Sequence, residues 1–591
     1  MDAVRDPDGK PIFGDCNFES AIFKGHSARY DFQGAEFSGF ANFSNSRFDC
    51  TAELSRTTFS RGATFQSSIF AGPTSFERAT FNEGADFTST AFEDWVDFAG
   101  AEFESLADFP QSKFSKEAYF MGTRFFGYAE FTGAEFSGDS ADFSMGSASG
   151  TTDFTAATFR GAANFSSRTF HGKTRFVHAR FEKSVDLRAK YEDQTDFSST
   201  VFMSDVQLGG ASFDAAVCFQ GAKFDQANEI GPMSCIAAVN LSGVTFNSPV
   251  TIALSAAQLD CRRTRWMSTA VLHLRHARVD FSQAVYEFPV TIALEHQPFV
   301  LNDGRTLPEH GAADTKDVRL TSLRGVDAAH LLLSDIDMTE CLLAGTVHLD
   351  QIRLEGDCRF DAPPTGIFWS KGRPVRWTRR RIVAEEQHWR AGQHGTIRAW
   401  NSSPPTASHV GPAQLAPVYR SLRKSFEDNK NEPGSADFYY GEMEMRRLDS
   451  TTPPAERRLL TAYWAISGYG LRAMRALSWL TLAAVTTLFS LMLWGIPSDD
   501  PKPVSSGSVT GDSVRLVTDS PDPVNPSGPL HSRLSTDRFE KGLRVVINSV
   551  IFRSSGQNLT TAGTYIEMAS RLSEPVLLGL AVLAVRSRVK R

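Results

Sequence analysis

Phenylalanine recurs along the N-terminal part of the chain at alternating steps of five and six residues. From position 32 to position 136 this pattern covers twenty positions, of which nineteen are Phe and one is Leu54. It resumes between Phe154 and Phe224, after an irregular step at Phe143 and the segment SMGSASGTT (144–152), which we interpret as an insertion. An internal repeat of this length predicts a repeat architecture. The most regular core candidates are Phe87, Phe92, Phe98, Phe103, Phe109, Phe114, Phe120, Phe125, Phe131 and Phe136.

The alternating spacing excludes one long helix or one long strand. A helix turns by roughly 100° per residue, so these steps would place successive rings on nearly opposite sides, and the Gly, Ser and Thr content disfavours helix. In a strand, a step of five moves the next ring to the other face. The residue two positions before each ring is Ala eleven times, Thr four times and Ser three times among the twenty. The pattern therefore predicts short extended segments with a corner between them and rings stacked inside.

The segments GADF, LADF, YAEF, SADF and GAANF are similar to the repeats of pentapeptide repeat proteins, in which Ala-(Asp/Asn)-(Leu/Phe)-x-x recurs. The resemblance implies a mainly β fold, a right-handed four-sided parallel β-helix, followed here by an α-helical linker or hairpin and two transmembrane helices. The extra residue in every second repeat implies coils of 22 residues. We expect a regular β-helix over 12–225 and a degenerate continuation, with other apolar residues replacing Phe, over 226–361.

Charge and cysteine content bear on partners and compartment. The net charge of the 591-residue chain is −7, made up of −12 over residues 1–225 and +5 over the rest. Some pentapeptide repeat proteins mimic DNA and inhibit gyrase, so the acidic solenoid makes a DNA mimic a second alternative function, although nucleic acid itself is not an expected partner. Seven scattered cysteines, an odd number, indicate reduced thiols and a cytosolic solenoid.

Helices are predicted between the solenoid and the first long apolar segment. Consecutive prolines end the repeat, and we expect a helical cap and a linker over 362–414. Within it, Glu385 and His388 are interpreted as salt-bridged helix surface and not as metal ligands. Apolar residues at helical spacing over 415–475 predict a cytoplasmic hairpin that resembles a tetratricopeptide repeat, followed by a juxtamembrane helix.

Residues 476–496 predict a first transmembrane helix. These 21 residues carry no charge and are long enough to cross a hydrocarbon core of about 30 Å. Trp479 and Trp494 are the expected membrane-interface residues. Arginines precede this span, whereas residues 497–538 are Pro/Ser-rich and acidic, so we expect a disordered extracytoplasmic loop and a cytoplasmic N-terminus.

A second transmembrane helix is predicted over 565–586, and it includes charged residues, which in a span usually face protein or water. Between the spans, 539–564 predicts a short apolar re-entrant or interfacial helix and a turn, and the basic tail 587–591 predicts a cytoplasmic C-terminus. This order resembles the two-helix pore module of potassium channels, in which loop carbonyls replace the hydration shell of the ion. The corresponding candidate pore-loop residues, which lack the TVGYG-like motif, are Ser554, Ser555, Gly556 and Gln557.

The sequence contains no motif of an enzyme site. It lacks a P-loop, HExxH, GxSxG and a CxxC pair, so we expect no catalytic residues, no cofactor and no metal. Residues 365–591 are similar to the tail of pentapeptide repeat membrane proteins of actinobacteria. We therefore interpret the chain as a cell-membrane scaffold with two spans in the lipid bilayer, whose β-helix binds an unidentified cytoplasmic protein partner. The alternative is a homo-oligomer, assembled through the transmembrane part, that forms an ion-channel-like pore.

Overall fold

The computed structural model divides the chain into two units, Met1–His409 and Val410–Arg591, which we describe separately. The residues that the structure describes are 4–5, 10–24, 29–301, 303–308, 317–370, 373–393, 400, 410–499, 502–510, 513–519, 521–551, 553–554 and 556–589.

The first unit is a parallel β-solenoid of about 15 coils. Each short strand pairs in parallel with the fourth strand before it and the fourth strand after it, so every coil has four faces. Phe59, for example, lies opposite Phe37 and Phe81, and the same coil-to-coil offset brings the Ser46 hydroxyl to 3.3 Å from that of Ser68. The predicted fold class and coil length are thus confirmed for this part of the chain.

The strands of the regular coils form four rows, one for each face. The first row contains Pro11–Phe13, Glu36–Phe37, Thr58–Phe59, Thr80–Phe81, Glu102–Phe103, Arg124–Phe125, Ser147–Ala148, Thr169–Phe170, Lys190–Tyr191 and Ser212–Phe213. The second contains Cys16–Asn17, Ala41–Asn42, Ala63–Thr64, Ala85–Asp86, Ala107–Asp108, Ala129–Glu130, Thr152–Asp153, Thr174–Arg175, Thr195–Asp196 and Val217–Cys218. The third contains Ile22–Phe23, Arg47–Phe48, Ile69–Phe70, Ala91–Phe92, Lys113–Phe114, Glu135–Phe136, Thr158–Phe159, Arg180–Phe181, Val201–Phe202, Lys223–Phe224, Thr245–Phe246, Arg265–Trp266 and Val285–Tyr286. The fourth contains Arg29–Asp31, Thr51–Glu53, Thr74–Ser75, Val96–Asp97, Ala118–Tyr119, Ser140–Asp142, Ala162–Asn164, Val185–Asp186 and Val206–Gln207.

Two kinds of corner alternate, and this alternation explains the steps of five and six. A five-residue step contains a tight turn, as where the Ser68 N–H donates to the Phe65 carbonyl at 3.0 Å. The third residue of that turn has a positive φ, which for Ser67 is 56°. A six-residue step turns the corner with one more residue. The left-handed residues recur every eleven positions at Asn45, Arg56, Ser67, Arg78, Ser89, Gly100, Gln111, Gly122 and Gly133.

The residue two positions before a ring is buried inside the solenoid together with that ring. Ala fits there, and buried Ser and Thr satisfy their hydroxyls by donating to a Phe carbonyl of the adjacent coil. Ser68 donates to the Phe43 carbonyl at 2.6 Å, and Ser112 donates to the Phe87 carbonyl at 2.9 Å. Most coils place Ala, Ser or Thr at this buried position, while Val96 and Arg168 show that it also accommodates larger side chains.

The segment 144–152 is not an insertion, in contrast to the sequence interpretation. Phe114 lies opposite Phe136, and Phe136 lies opposite Phe159, which is one position further along than the regular register. The coil therefore contains a single extra residue. Within the segment, Ala148 takes a core position between Phe125 and Phe170. A small residue thus replaces one ring of a stack, and the spacing of the rings alone made it look like extra chain.

Arg168 fills the space beside Ala148. Its guanidinium carbon lies 5.2 Å from the centre of the Phe125 ring and 5.7 Å from that of Phe170. The nitrogens donate to the Phe143 carbonyl at 2.7 Å and the Thr123 carbonyl at 2.8 Å. Burial lowers the pKa of this guanidinium to about 9. Arg168 occupies the position where other coils place a small Ser or Thr donor.

The later coils differ from the regular ones in length and in strand pattern. Phe246, Trp266 and Tyr286 lie opposite one another, although they are two positions closer together in the chain than the paired rings of the regular coils. The coil is therefore shorter here. The strand that ends at Leu294 pairs with the strand that begins at Leu331, so the chain between these strands is longer than one regular coil. The strands of this part are Glu229–Asn240, Val250–Asp260, Ala270–Arg275, Arg278–Asp280, Val290–Leu294, Arg319–Ser322, Leu331–Ser334 and Arg353–Glu355, with short 3₁₀ helices at Ala328–His330 and Leu349–Gln351.

Both ends of the solenoid carry additional elements. At the N-terminus, strand Val4–Arg5 pairs antiparallel with the first strand of the first row. After the last coil come an antiparallel hairpin, Phe368–Ser370 with Arg373–Val375, and helix α1, Ala384–Ala391.

Helix α1 covers an open edge of the last coils with buried carboxylates. Glu385 Oε1 accepts the N–H groups of Leu343 at 2.5 Å and Ala344 at 2.7 Å. Glu386 is fully buried between the guanidinium groups of Arg380 and Arg390. The interpretation of Glu385 as helix surface was therefore wrong, because the helix places this acid against backbone donors that the solenoid leaves unpaired.

The second unit contains six helices among its described residues. They are α2 (Pro412–Asp428), α3 (Glu432–Leu448), α4 (Pro454–Ser467), α5 (Ala473–Ser490), α6 (Thr536–Val550) and α7 (Thr561–Val589). Helix α5 continues as a π-helix over Leu491–Gly495. The α2–α3 hairpin packs through aromatic rings, with Phe426 4.9 Å from Phe438. Gly441 permits the close approach, because a Cβ there would lie 2.5 Å from the Tyr419 ring.

Two helical segments of the second unit are long and apolar enough to cross a membrane, namely Ala473–Gly495 and Thr561–Arg586. Only 17% and 28% of their most apolar stretches are buried. Helix α6 packs against both, with Val545 and Val546 in a cluster that includes Leu491. The exposed flank of α6 carries apolar side chains one turn apart, at Phe539, Leu543, Ile547 and Ile551.

The segment 497–538, expected to be disordered, contains regular structure. Val504–Thr510 and Ser513–Asp519 form an antiparallel hairpin, and Leu530–Arg533 forms a 3₁₀ turn. The Val, Leu and Thr side chains of the two strands favour extended structure. The Pro and Ser residues that flank these strands led to the prediction that the whole segment is a disordered loop.

We predict that Phe98→Ala lowers the free energy of unfolding by about 3–5 kcal/mol, because it removes a buried ring and leaves a cavity. Phe98 is fully buried and stacks on Phe76 at 4.8 Å and on Phe120 at 4.9 Å. Hydrogen–deuterium exchange of the full chain in mild detergent should show protection lost in these coils. Phe40→Ala is the matched control, because Phe40 is 47% exposed and outside the repeat pattern. Equal exchange in the two variants would contradict the assignment of the stack.

Candidate functional surfaces

The ten Phe candidates lie inside the solenoid. None is more than 2% exposed, so they form the structural core and cannot contact a partner directly. Sequence reasoning missed one member of the first-row stack, Tyr191, which lies between Phe170 at 5.1 Å and Phe213 at 4.7 Å. The coil from Phe170 to Tyr191 is one residue shorter than a regular coil. The Tyr191 ring therefore falls outside the five-six spacing, although it is buried like the other rings of its stack.

Because the strands are in register, some outward-facing residues repeat their type from one coil to the next. On the second face Asp86, Asp108, Glu130 and Asp153 follow one another in register, with strands about 4.8 Å apart. Asp108 Oδ1 is buried without a hydrogen-bond partner among the described residues. Burial, and then the charges of Glu130 and Asp86, raise the pKa of Asp108 to about 6. The row therefore concentrates like charges along one face of the solenoid.

A groove of about 960 Å³ lies between the solenoid coils and residues 300–301 and 303–308. Gly210 allows the contact, since a Cβ there would lie 3.3 Å from Leu301 Cδ1. The groove is lined by Arg188 and Arg305, which pair with Asp186 and Asp303. The groove therefore presents these ion pairs together with the carboxyl groups of Asp205 and Glu229.

The C-terminal end of the first candidate span contacts the N-terminal end of the second through backbone atoms. Gly495 and Gly563 approach so closely that a Cβ on Gly563 would lie 2.2 Å from the Gly495 carbonyl oxygen. Thr560 donates from its hydroxyl to the Trp494 carbonyl at 2.8 Å. Two small residues and one hydroxyl thus hold these helices together.

Arg538, at the start of α6, completes this junction. Its buried guanidinium donates to the carbonyls of Met492 at 2.7 Å, Ile496 at 2.7 Å and Pro497 at 3.1 Å. The Met492 carbonyl lies in the last turn of the first span, and Ile496 and Pro497 directly follow that span, where helix carbonyls lack partners within the helix. A cation there also complements the helix dipole. Nothing in the sequence pattern marks this arginine as buried.

The candidate pore-loop residues follow α6. Ser554 and Gly556 are exposed, Gly556 has a φ of 64°, and Gln557 is half-buried. Ser555 lies outside the described residues. The interface candidates Trp479 and Trp494 are 45% and 49% exposed, and the Trp479 indole donates to the Ala465 carbonyl at 3.2 Å.

Chemistry-bearing side chains are dispersed over the surface. No group of three or more His, Cys, Asp or Glu side chains that could hold a metal ion occurs in the part of the chain that the structure describes. All seven cysteines are free thiols, and burial raises the pKa of Cys235 to about 11, which disfavours the reactive thiolate.

Comparison with known proteins identifies the repeat. Residues 65–112 match the family model described as Pentapeptide repeats (9 copies). No curated protein and no solved structure shows significant similarity to the chain. The matched residues lie in the most regular coils, where every corner follows the five-six pattern.

We predict that Asp108→Asn stabilises the solenoid at about pH 8 and leaves its stability unchanged at about pH 4. A carboxyl whose pKa is raised on folding favours the folded state at low pH, and this contribution is lost as the pH rises through about 6. We expect a gain of about 1 kcal/mol, less than the shift alone implies, because the row is partly solvated.

Thermal unfolding of the full chain at both pH values measures this difference. Glu104→Gln is the control, because it removes one exposed negative charge from the same coil. If both variants changed stability equally at each pH, the effect would come from net charge and not from the buried position of Asp108.

Proposed function

We propose that this chain, whose N-terminal solenoid belongs to the pentapeptide repeat family, is a non-enzymatic scaffold that two helices anchor in a cell membrane. The observation that carries the proposal is the pair of long apolar segments, Ala473–Gly495 and Thr561–Arg586, whose side chains are mostly exposed. In water such surfaces would associate or aggregate, whereas in a bilayer they face acyl chains.

A soluble core helix and a signal sequence are also long and apolar, but both fit these segments less well. A core helix of a soluble protein is mostly buried, whereas these segments are 17% and 28% buried. A signal sequence lies near the N-terminus, whereas both segments lie in the C-terminal fifth of the chain. The arginines that precede the first span support a cytoplasmic location for both termini. They are Arg446, Arg447, Arg457, Arg458, Arg472 and Arg475.

The scaffold role is supported by the construction of the solenoid. Its coils are fixed by continuous parallel pairing and by stacked rings, so its surface rows keep constant spacing. A rigid surface loses little conformational entropy on binding, which favours recognition of a partner protein. The reactive groups among the described residues are dispersed, which fits a binding role better than catalysis.

A pore-forming oligomer is the second candidate, and helix α6 favours it. In α6, Val545 and Val546 pack against the spans, while Phe539, Leu543 and Ile547 remain exposed on another flank. A helix beside two spans, followed by an extended segment and the second span, has the order of a pore module. The exposed flank would then contact neighbouring subunits around a symmetry axis.

We predict that Ser506→Cys in the hairpin between the spans is labelled by a membrane-impermeant maleimide on intact cells. The native cysteines all precede residue 359, so the wild-type protein should be labelled only after the cells are opened. Ser450→Cys, exposed between α3 and α4, is the matched control and should behave like the wild type. Labelling of Ser450→Cys but not Ser506→Cys from outside would invert the orientation, and extraction of the protein by alkaline carbonate would exclude membrane insertion.

We predict that light scattering of the intact chain in mild detergent, with the detergent mass subtracted, distinguishes the two candidate functions. A monomer or dimer fits an anchored scaffold and argues against a pore, because so few spans cannot enclose an aqueous path. A closed ring such as a tetramer would instead support the pore and justify ion-flux measurements in liposomes.

A further inference from the structure

A fully buried carboxyl group lies at the contact between the two candidate spans. Glu574 of α7 is 0% exposed, and its Oε1 lies 2.9 Å from the hydroxyl of Thr487 on α5. Its second oxygen, Oε2, is buried without a hydrogen-bond partner among the residues described. One oxygen of Glu385 on α1 is also buried without a partner among the residues described, but its other oxygen accepts two backbone N–H groups, and Glu386 pairs with two guanidinium groups. Glu574 has neither kind of partner among these contacts.

The position of Glu574 makes this arrangement informative. The residue lies midway along Thr561–Arg586, and Thr487 lies in the inner part of Ala473–Gly495. If the segments cross a bilayer, as the proposed function requires, the carboxyl lies near the centre of the hydrocarbon core. An acid there is costly when charged and marks a functional site.

The hydrogen bonds of the Thr487 hydroxyl indicate whether Glu574 is protonated or ionised. A threonine hydroxyl carries one proton, yet the carbonyl oxygen of Ala483 lies 3.0 Å away and Glu574 Oε1 lies 2.9 Å away. If Thr487 donates to Ala483, the remaining contact needs a donor, and a neutral carboxylic acid supplies it. A carboxylate would leave two acceptors competing for one proton and a charge in an apolar contact.

No described ion pair includes Glu574. Arg475, which is the one charged residue of α5, donates to the Trp464 carbonyl at 2.8 Å, and Arg571, one turn before Glu574 on α7, has a contact of its own. Other charged residues lie on α7 and on the helices packed against it. They are Glu567, Arg586 and Arg588 on α7, Asp537, Arg538, Glu540, Lys541 and Arg544 on α6, Glu432, Asp437, Glu442, Glu444, Arg446 and Arg447 on α3, and Glu456, Arg457 and Arg458 on α4.

We propose that Glu574 is a proton-binding site within the membrane, at which a neutral carboxylic acid donates its proton to Thr487 and joins the two spans. Release of the proton removes the donor and leaves a charge between the helices, so the contact then needs water or a cation. Pro575 follows immediately and removes one backbone donor from α7 at this depth, which makes the helix easier to bend there. Protonation of one residue thereby controls the packing of α5 against α7.

The test is labelling of the full chain in lipid vesicles with dicyclohexylcarbodiimide at about pH 7. This apolar reagent adds to a protonated carboxyl in an apolar environment and rearranges to a stable N-acylurea without a leaving group. We expect mass spectrometry to find the whole reagent added at Glu574, and the label to be lost in Glu574→Gln. A water-soluble carbodiimide with an added amine should label the exposed Glu540 and spare Glu574.

Infrared spectroscopy provides a second readout that does not depend on access of the reagent. The wild type should show a carbonyl stretch of a protonated acid that moves in D₂O and is missing from Glu574→Gln. Glu574→Gln should keep the thermal stability of the wild type, because an amide also donates to Thr487. Thr487→Val, which has nearly the same shape but no acceptor, should be less stable.

Three results would overturn the proposal: absence of the acid band, labelling of Glu574 by the water-soluble reagent alone, or loss of stability in Glu574→Gln. Flotation of the same vesicles separates this failure from failure of the proposed function. If the chain floats with the lipid and Glu574 lacks the label, only the proton site is wrong. If the chain does not float, membrane anchoring itself is wrong.

Discussion

The solenoid depends on one constraint, that each coil bring the same core position directly over its equivalent in the coil below. Parallel strands separated by about 4.8 Å allow rings to stack, but only if the coil length stays constant. Two steps of five and two of six complete one regular coil, and the left-handed residue of each tight turn recurs every eleven positions. Backbone conformation, ring position and the small residue before each ring are therefore set together.

The same constraint explains the exceptions. A ring missing at Ala148 cannot be compensated by shifting the chain, because the strands above and below remain in register. The gap is instead filled from the adjacent position, where the Arg168 side chain lies between two rings and donates to two carbonyls. Register also aligns outward carboxylates such as Asp86 and Asp108 in one row, at an electrostatic cost that a less regular fold would avoid.

The spacing alone predicts the period and the buried rings, because a large apolar residue at fixed steps has few geometric explanations, whereas the four faces were implied by the resemblance to pentapeptide repeats. The sequence also predicts the two long apolar helices from length and composition. It fails where the cause is not local. The shorter coil between Phe246 and Tyr286 and the β-hairpin at 504–519 depend on pairing, which spacing does not reveal.

Buried charged groups were the other failure. Glu385 was expected on a helix surface, and the sequence pattern did not indicate that Arg168 and Arg538 are buried. Each lies beside an unpaired backbone group or a core position that lacks a ring, which explains its burial. One signal was available in advance: Ala148 stands where the pattern requires a ring, and a large residue nearby had to replace the lost volume.

These buried groups divide into two kinds, and the division identifies the functional candidate. Glu385 accepts the free N–H groups at the end of the solenoid, and Arg538 donates to the free carbonyls at the end of the first span. Both satisfy backbone groups that a helix or sheet leaves open at its ends, so both have a structural explanation.

Glu574 satisfies no backbone group, meets one hydroxyl that already has an acceptor, and keeps a buried oxygen without a partner among the described residues. An apolar residue would join the helices with less desolvation cost, because moving a lone ionised carboxyl out of water costs several kcal/mol. The retained acid is therefore best explained by the one property that an apolar residue lacks, which is its exchangeable proton.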